Sequence, residues 1–306
     1  MHWNLSNQLV IMIKQCYFSE CLELFRKGFF DLWKLDSYNN NVEPCVFAGV
    51  YSLKDIDVIN AHKGFKVVLI CGADHSNIPA LNSCNFIIED ISMRQILATY
   101  GIMQPPIIAM RDFSEYKPTL LGSKIYCYIR SESSKNYFCY KVIEELIGII
   151  GREHFIIAQT GRPKEQVIED YKNSFVSIQL NPIAGNTSSK ELAHMGRYCI
   201  SNNTEKFNIN YKSVKDIVNA VTRLRSLVGQ YDYHVAELAR DSINYSRNWL
   251  ETDFYDLNTF CRPKLYKRAI LKYRIRAFIK NYIPFSKVLY KRVKKCWLAK
   301  SGQRAK

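Results

Sequence analysis

A run of small polar side chains in the second half of the sequence suits the binding of an anion. It comprises, in order, Gly185, Asn186, Thr187, Ser188 and Ser189. The run opens a predicted helix whose first turn contains Glu191. Because a helix start presents unpaired N–H groups and the positive end of the helix dipole, it favours a diphosphate. Glu191 is placed to accept hydrogen bonds from the two hydroxyls of a ribose.

The same residues allow a purely structural interpretation. Ser188 and Glu191 have the spacing of a capping box, in which the two side chains satisfy the free N–H groups of a helix start. The pattern alone therefore leaves two roles open for this segment.

Two titratable residues in the first half of the sequence are expected to face such a site. Asp74 and His75 follow a predicted strand that ends near Cys71. The carboxyl ends of parallel strands are where α/β proteins bind ligands, so we expect these two side chains to face a ligand there and to be able to transfer protons. A solvated loop histidine is the competing interpretation of His75.

Other motifs are weak or absent. Asp55-Ile56-Asp57 matches the DxD pattern that holds a divalent metal on a diphosphate, but it begins a predicted helix, where capping is the favoured interpretation. The sequence contains no Walker loop, GxGxxG, GxSxG, HExxH or CxxC motif. Their absence excludes the commonest nucleotide hydrolases, dehydrogenases, serine esterases and zinc proteases.

Strand and helix patterns alternate around these residues, which is typical of α/β architecture with parallel strands. The predicted strands are 45–51, 66–71, 86–89, 107–110, 125–129, 154–159, 175–180 and 198–201. The predicted helices are 53–62, 93–100, 140–150, 164–171, 188–195, 214–228 and 233–249, and residues 1–33 are also predicted to be helical. The segment 113–123 is predicted to join two α/β units.

The composition is that of a globular protein. The chain has 306 residues, 47% of them hydrophobic and 23% charged, and no apolar run reaches the ~18 residues that a membrane span needs. The N-terminus lacks a basic segment and a small-residue cleavage site, so we expect a cytoplasmic protein. The ten cysteines are widely spaced and are expected to be structural thiols.

The net charge of +15 comes from the end of the chain. Residues 261–306 contain 16 Lys and Arg and no Asp or Glu, whereas residues 1–260 contain 27 basic and 28 acidic residues. Apolar residues alternate there with lysines and arginines at helical spacing, interrupted by Pro284. This pattern predicts amphipathic helices over residues 262–300 that lie on an anionic membrane surface. Nucleic-acid binding and a solvated helix packed on the body remain as alternatives.

The motifs together resemble the GT-B glycosyltransferases, in particular the retaining group that uses nucleotide sugars. The resemblance covers roughly residues 45–230 and is one of pattern. It rests on Ala184 to Glu191, on His194 to Ile200, and on Gln159, Thr160 and Gly161 at a predicted strand end. In the first half, Phe47 to Tyr51 and Val68 to Asp74 resemble the acceptor-side domain.

The resemblance implies roles for individual residues. The expected catalytic residues are Asp74, His75 and Arg130, and the expected donor-binding residues are Gly72, Lys135, Gln159, Thr160, Gly185, Asn186, Thr187, Ser188, Ser189 and Glu191. Arg130 and Lys135 stand in for the Arg and Lys pair that neutralises the donor phosphates in the family. The family's second carboxylate, eight positions before Glu191, is replaced by Ile183.

The expected architecture is α/β, with two Rossmann-like domains facing a cleft. We predict an N-terminal helical segment (1–43), an acceptor-side domain (44–118), a nucleotide-sugar-binding domain (119–230), a returning helix (231–260) and the basic helical tail (261–306). The expected activity is transfer of a sugar from a nucleotide-diphosphate sugar to a glycan or lipid-linked acceptor at a membrane surface, without a cofactor or metal. The alternative is a noncatalytic GT-B-like scaffold or a nucleic-acid-binding protein that uses the tail.

Overall fold

The computed structural model of the chain describes residues 11–102, 104–181, 187–202, 205–243 and 245–255. It contains two parallel sheets of five strands each, and this confirms the predicted α/β class with two Rossmann-like units. Gly185, Asn186 and the basic tail lie outside the described residues.

The first sheet has the strand order β2-β1-β3-β4-β5. Its strands are β1 (Gln15–Phe18), β2 (Asp36–Ser37), β3 (Cys45–Ala48), β4 (Lys66–Ile70) and β5 (Asn85–Ile88). The helices of this unit are α1 (Glu23–Trp33), α2 (Leu53–Ala61) and α3 (Met93–Ala98). Beyond β5, Ile107 adds a single parallel bridge to Ile88 where a further strand was predicted.

The second sheet has the strand order β10-β9-β8-β6-β7. Its strands are β6 (Lys124–Tyr128), β7 (Phe155–Ala158), β8 (Ser174–Ile178), β9 (Tyr198–Ile200) and β10 (Asn208–Ile209). The helices of this unit are α4 (Tyr140–Ile150), α5 (Lys164–Lys172), α6 (Thr187–His194), α7 (Val214–Leu224) and α8 (Tyr233–Asp241).

Both faces of the first sheet are buried, as parallel sheets require. Side chains alternate along β3, so Val46 and Ala48 join one apolar core while Cys45 and Phe47 join the other. The central strand β3 is therefore a continuous apolar run, and polar residues such as Asp74 and Glu89 follow the ends of β4 and β5. Side chains that can bind a ligand or transfer a proton therefore lie at the carboxyl edge of the sheet.

The N-terminal segment differs from the prediction. Residues 1–33 were expected to be helical, but within the described residues 11–33 Gln15–Phe18 forms β1 and pairs with β3, and the long helix is Glu23–Trp33. Strand β1 was not predicted because the polar Gln15 interrupts the apolar pattern of a buried strand. The Gln15 side chain is buried because its oxygen accepts from the N–H of Asn39 and its nitrogen donates to the carbonyl of Glu43. The first sheet consequently includes residues before position 44.

The described C-terminal residues return to the first sheet. Helix α8 ends at Asp241 rather than near residue 249, and Trp249 and Leu250 pack in the same core as Trp33. The Trp33 and Trp249 rings meet edge to face at 5.0 Å. This segment holds the two units together from the side of the first sheet.

Among the residues that the structure describes, no helix combines the length and apolar character needed to cross a bilayer. The eight cysteines in the described ranges are free thiols, as predicted.

Candidate functional site

The carboxyl edge of the first sheet meets the start of a helix of the second unit. Glu89 directly follows β5, and Thr187 begins α6. The Thr187 hydroxyl donates to Glu89 Oε1 at 3.4 Å, and Lys190 Nζ donates to the Glu89 carbonyl oxygen at 2.6 Å. The two Rossmann-like units therefore face each other where their strand ends and a helix start converge.

Two carboxylates lie near the ammonium group of Lys190, which also donates to the main-chain oxygen of Glu89. Its nitrogen lies 3.6 Å from Asp90 and 3.7 Å from Glu205. All four side chains are buried. Ser92 fixes the Asp90 carboxylate by donating from its N–H at 2.9 Å and its hydroxyl at 2.7 Å. Since the cluster combines one cation with three acids, the site carries excess negative charge unless it holds protons.

Burial raises the pKa of two carboxyl groups in this cluster, those of Glu89 and Glu205, toward neutral pH. Desolvation raises the pKa of Glu89 to about 7, against the opposing effect of Lys190. It raises the pKa of Glu205 to about 7 in the same way. Burial acts to lower the pKa of Lys190, but Asp90, Glu205 and Glu89 together raise it above its ordinary value. A carboxyl group that titrates near pH 7 is suited to general acid or base catalysis.

Glu191 does not have the environment that was expected for a ribose ligand. Its carboxylate is buried, forms an ion pair with Arg111, and accepts hydrogen bonds from the hydroxyls of Tyr116 and Tyr171. Both of its oxygens are therefore engaged within the protein. Arg111 lies 80 positions before Glu191, just ahead of the joining segment, and the positive charge that it brings cannot be inferred from local spacing.

The carboxylate of Asp74 also forms hydrogen bonds within the protein. This buried carboxylate accepts from the N–H groups of Cys71, at 3.1 Å, and Val50, at 3.3 Å, which follow β4 and β3. Desolvation raises the pKa of Asp74 to about 6. The Asp74 carboxylate thus links two strand ends, whereas it was expected to face the acceptor of the sugar.

Gly72 and His75 form a local turn beside Asp74. Gly72 has a φ of 144°, in the region that favours glycine, and its carbonyl lies 2.7 Å from His75 Nδ1. Because a carbonyl only accepts, Nδ1 carries the proton, and Nε2 is the imidazole nitrogen left for other partners. His75 is half-buried at the carboxyl edge of the first sheet.

Four other predicted residues form an exposed polar rim after β6 and β7. The Thr160 N–H donates to the Arg130 carbonyl at 3.2 Å, which places the two strand ends side by side. Lys135 pairs with Glu132 at 2.8 Å, and Gln159 donates to the same carboxylate at 3.2 Å. Arg130, Gln159 and Thr160 are exposed, so this rim is open to a ligand.

The hydroxyl residues of α6 lie at its start, as predicted. Thr187 and Ser188 are half-buried, whereas Ser189 is buried. The Thr187 hydroxyl reaches across to the first unit, where it donates to Glu89.

The Asp55-Ile56-Asp57 segment caps a helix, as the favoured interpretation held. Ser52 and Asp55 form a reciprocal capping box at the start of α2. Asp55 also accepts from the hydroxyls of Tyr17, at 3.0 Å, and Ser19, at 2.9 Å. No group of three or more His, Cys, Asp or Glu within the described ranges has the geometry of a metal site.

Sequence reasoning missed Glu89, Lys190 and Arg111. A signal existed for Glu89, because Glu89-Asp90 is an acidic pair directly after an apolar strand. Lys190 and Arg111 carried no such signal, since their roles arise from contacts between residues about 80 to 100 positions apart.

Two cavities lie outside this junction. One of about 570 Å³ lies between α1, Arg111 and Lys164. The other, of about 600 Å³, lies between Phe113, His194 and Tyr245. Neither is lined by Glu89, Asp74 or Thr187.

Comparison with protein-family models gives no match, and comparison with curated protein sequences gives none either. Among solved structures, the chain is similar to TarM, with 12% identity and a TM-score of 0.43, over 76% of this chain and 54% of that one. It is similar to an alpha1,3-fucosyltransferase, with 8% identity and a TM-score of 0.42, over 92% of this chain and 94% of that one.

A third similar structure is the glycosylation associate protein (Gap123) complex from Streptococcus agalactiae. It shares 8% identity, with a TM-score of 0.31, over 78% of this chain and 52% of that one. The chain thus spans about half the length of TarM and of the Gap123 chain. These likenesses are distant and concern the fold.

Proposed function

We propose that this chain is a glycosyltransferase that transfers a sugar from a nucleotide-diphosphate sugar to a glycan or lipid-linked acceptor. The observation that carries the proposal is the junction of Glu89 with the start of α6. A carboxyl group with a pKa of about 7 stands there beside a helix start that favours anions.

In this proposal the second unit binds the donor. The N-terminus of α6 holds the diphosphate, and Arg130 and Lys135 on the rim after β6 balance its charge. Gln159 and Thr160 lie on the same rim and contact the remainder of the donor. Fixed dipoles and cations of this kind stabilise the charge that develops on the leaving diphosphate.

Glu89 acts on the acceptor from the first unit. Its carboxylate takes the proton from an acceptor hydroxyl while that oxygen bonds to the sugar C1. The bond from C1 to the diphosphate oxygen breaks in the same step, and the nucleotide diphosphate leaves with the electron pair. His75, with Nε2 free of the turn that holds Nδ1, contacts the sugar or the acceptor.

The proposed location of this reaction is a membrane surface, and the basic tail supports that proposal. Residues 261–306 carry 16 positive and no negative side chains, and each basic residue near an anionic surface contributes about 1 kcal/mol. We propose that residues 262–300 attach the chain to anionic lipid. Truncation after Phe260 should then abolish cosedimentation with anionic vesicles. Binding to duplex DNA is measured at the same salt concentration for comparison.

The experiment for the activity starts with binding. A panel of nucleotide sugars is screened for an increase in melting temperature, and the donor that binds is then tested for transfer and hydrolysis. We expect Glu89→Gln to retain the increase in melting temperature with the donor and to lose turnover. The control Glu145→Gln, at an exposed position on α4, should retain the increase in melting temperature and the turnover. If no nucleotide diphosphate shifts the melting temperature, the proposal is wrong.

A further inference from the structure

Three large apolar side chains are exposed at the amino-terminal edge of the first sheet. They are Ile11, Val42 and Phe254, which are 48%, 62% and 44% exposed. Ile11 precedes β1 and Val42 precedes β3, and these strands run parallel with Gln15 opposite Cys45. Both residues therefore lie at the end of the sheet away from Glu89. We call these three residues the amino edge.

A continuous set of contacts joins the three residues. The Thr252 N–H donates to the Ile11 carbonyl at 3.0 Å, and Phe254 follows two residues later. The ring of Phe254 contacts that of Tyr255 at 5.5 Å, and Tyr255 contacts Phe65 at 5.6 Å.

Val42 joins the same edge through the loop before β4. Lys63 and Gly64 donate their N–H groups to the Asn41 carbonyl, at 2.6 and 3.2 Å, and Phe65 follows directly. Because Phe65 also contacts Tyr255, the loop that carries Val42 packs against the segment that carries Phe254.

The chain runs from this edge into its basic segment. Tyr255 packs in the core of the first unit and ends the described residues, and 306 − 255 = 51 residues follow it. Their last 46, residues 261–306, hold all of the net positive charge of the protein. The edge itself carries exposed charged side chains of both signs, Lys14 and Lys63 together with Asp36 and Glu43.

We propose that the amino edge lies against an anionic membrane surface, with Ile11, Val42 and Phe254 in the interfacial layer. Exposed apolar side chains suit the headgroup boundary, and the basic segment 261–306 that follows in the sequence supplies the electrostatic attraction. The inference rests on the proposed membrane attachment and adds which face of the folded body meets the lipid. The strands of four to five residues then hold Glu89 at their far end, about 15 Å from the edge.

The test is cosedimentation of the full chain with vesicles of 70% phosphatidylcholine and 30% phosphatidylglycerol. The triple variant Ile11→Ser, Val42→Ser, Phe254→Ser is compared with a matched control, Leu24→Ser, Leu120→Ser, Ile149→Ser. The control residues are 91%, 51% and 57% exposed and lie elsewhere on the body. We expect the first variant to bind at least tenfold more weakly than the wild type and the control to stay within twofold.

A second measurement reports contact with lipid directly, so its result does not depend on whether a variant is destabilised. The emission maximum of Val42→Trp should shift to shorter wavelength when vesicles are added, after subtraction of the wild-type signal, and that of Ile149→Trp should not. Equal vesicle binding by wild type and triple variant, or no emission shift for Val42→Trp, overturns the orientation alone. Failure of the wild type to bind overturns the attachment and the orientation together, while the proposed transferase activity is judged separately by the donor screen.

Discussion

Lys190 Nζ lies 2.6 Å from the main-chain oxygen of Glu89, and this contact joins a helix of the second sheet to a strand end of the first. The same ammonium group faces Asp90 and Glu205 in a buried setting. Lys190 therefore takes part both in contact between the units and in the electrostatic environment of Glu89.

Lys190→Met should destabilise the protein in a manner that depends on pH. At pH 8 we expect a loss of about 3 to 5 kcal/mol in the free energy of unfolding, because breaking a buried ion pair leaves carboxylates without a counterion. At pH 5 the carboxyl groups can bind protons, so the loss should be smaller. Urea unfolding at both pH values measures this, with the exposed Lys141→Met as control; an equal loss at both would contradict the account.

The wild type should become less stable as the pH rises from 4 to 8. The pKa values of Asp74, Glu89 and Glu205 in the folded state are about 6, 7 and 7, above their ordinary values of 3.8, 4.5 and 4.5. The folded state thus holds more protons over this range, and their stabilising effect is lost as the pH passes each folded pKa. Each group contributes up to about 1.4 kcal/mol per pH unit. Glu205→Gln should flatten the curve; stability that rises with pH would refute this assignment.

Arg197→Met should be strongly destabilising. The guanidinium is fully buried and donates to main-chain carbonyls of Thr119, Leu120, Lys172, Ser174 and Met195, so it ties the linker between the units to the second sheet. Its loss leaves several buried acceptors without donors, and we expect about 3 kcal/mol or more. Denaturant unfolding checks this against the exposed Arg223→Met; comparable, small effects of the two changes would argue against the role.

The Glu191→Ala variant tests whether Glu191 stabilises the fold or contacts the ribose of the donor. Because Arg111, Tyr116 and Tyr171 occupy its carboxylate, we expect a loss of about 3 to 5 kcal/mol in stability. Donor affinity, measured calorimetrically well below the melting temperature, should change less than twofold. Lost affinity with unchanged stability would restore the ribose role.

The proposed chemistry also predicts the configuration of the product. A base that activates the acceptor in a single displacement inverts the anomeric centre, by analogy with inverting glycosidases. This departs from the retention that the family resemblance implied. Proton NMR of the first product formed distinguishes the two, and a retained configuration would remove Glu89 from the role of base.

Local patterns predicted much of the fold. The helix over residues 140–150 was placed correctly, since its apolar residues recur at helical spacing and Gly151 follows. The capping interpretation at Asp55 also held, because a helix start depends on neighbours in the chain. Strand β1 was missed because its burial depends on hydrogen bonds from Gln15 to a distant loop.

The site was less predictable for the same reason. Thr187 could be placed at a helix start from spacing alone, but nothing local indicated that its hydroxyl meets Glu89, 98 positions away. Asp74 was expected in the crevice, and its carboxylate instead satisfies two N–H groups. Buried charges take their roles from partners that only the tertiary fold brings close.

The pH dependence of kcat/KM for sugar transfer tests the central claim most directly. Once the donor is identified, the wild-type rate should rise with pH to a plateau with a midpoint near 7, as burial raises the pKa of Glu89 to about 7. Glu89→Gln should lose at least 100-fold in rate, an order of magnitude typical of a missing general base, while it still binds the donor. A Glu89→Gln enzyme with the wild-type rate and pH profile would contradict the account.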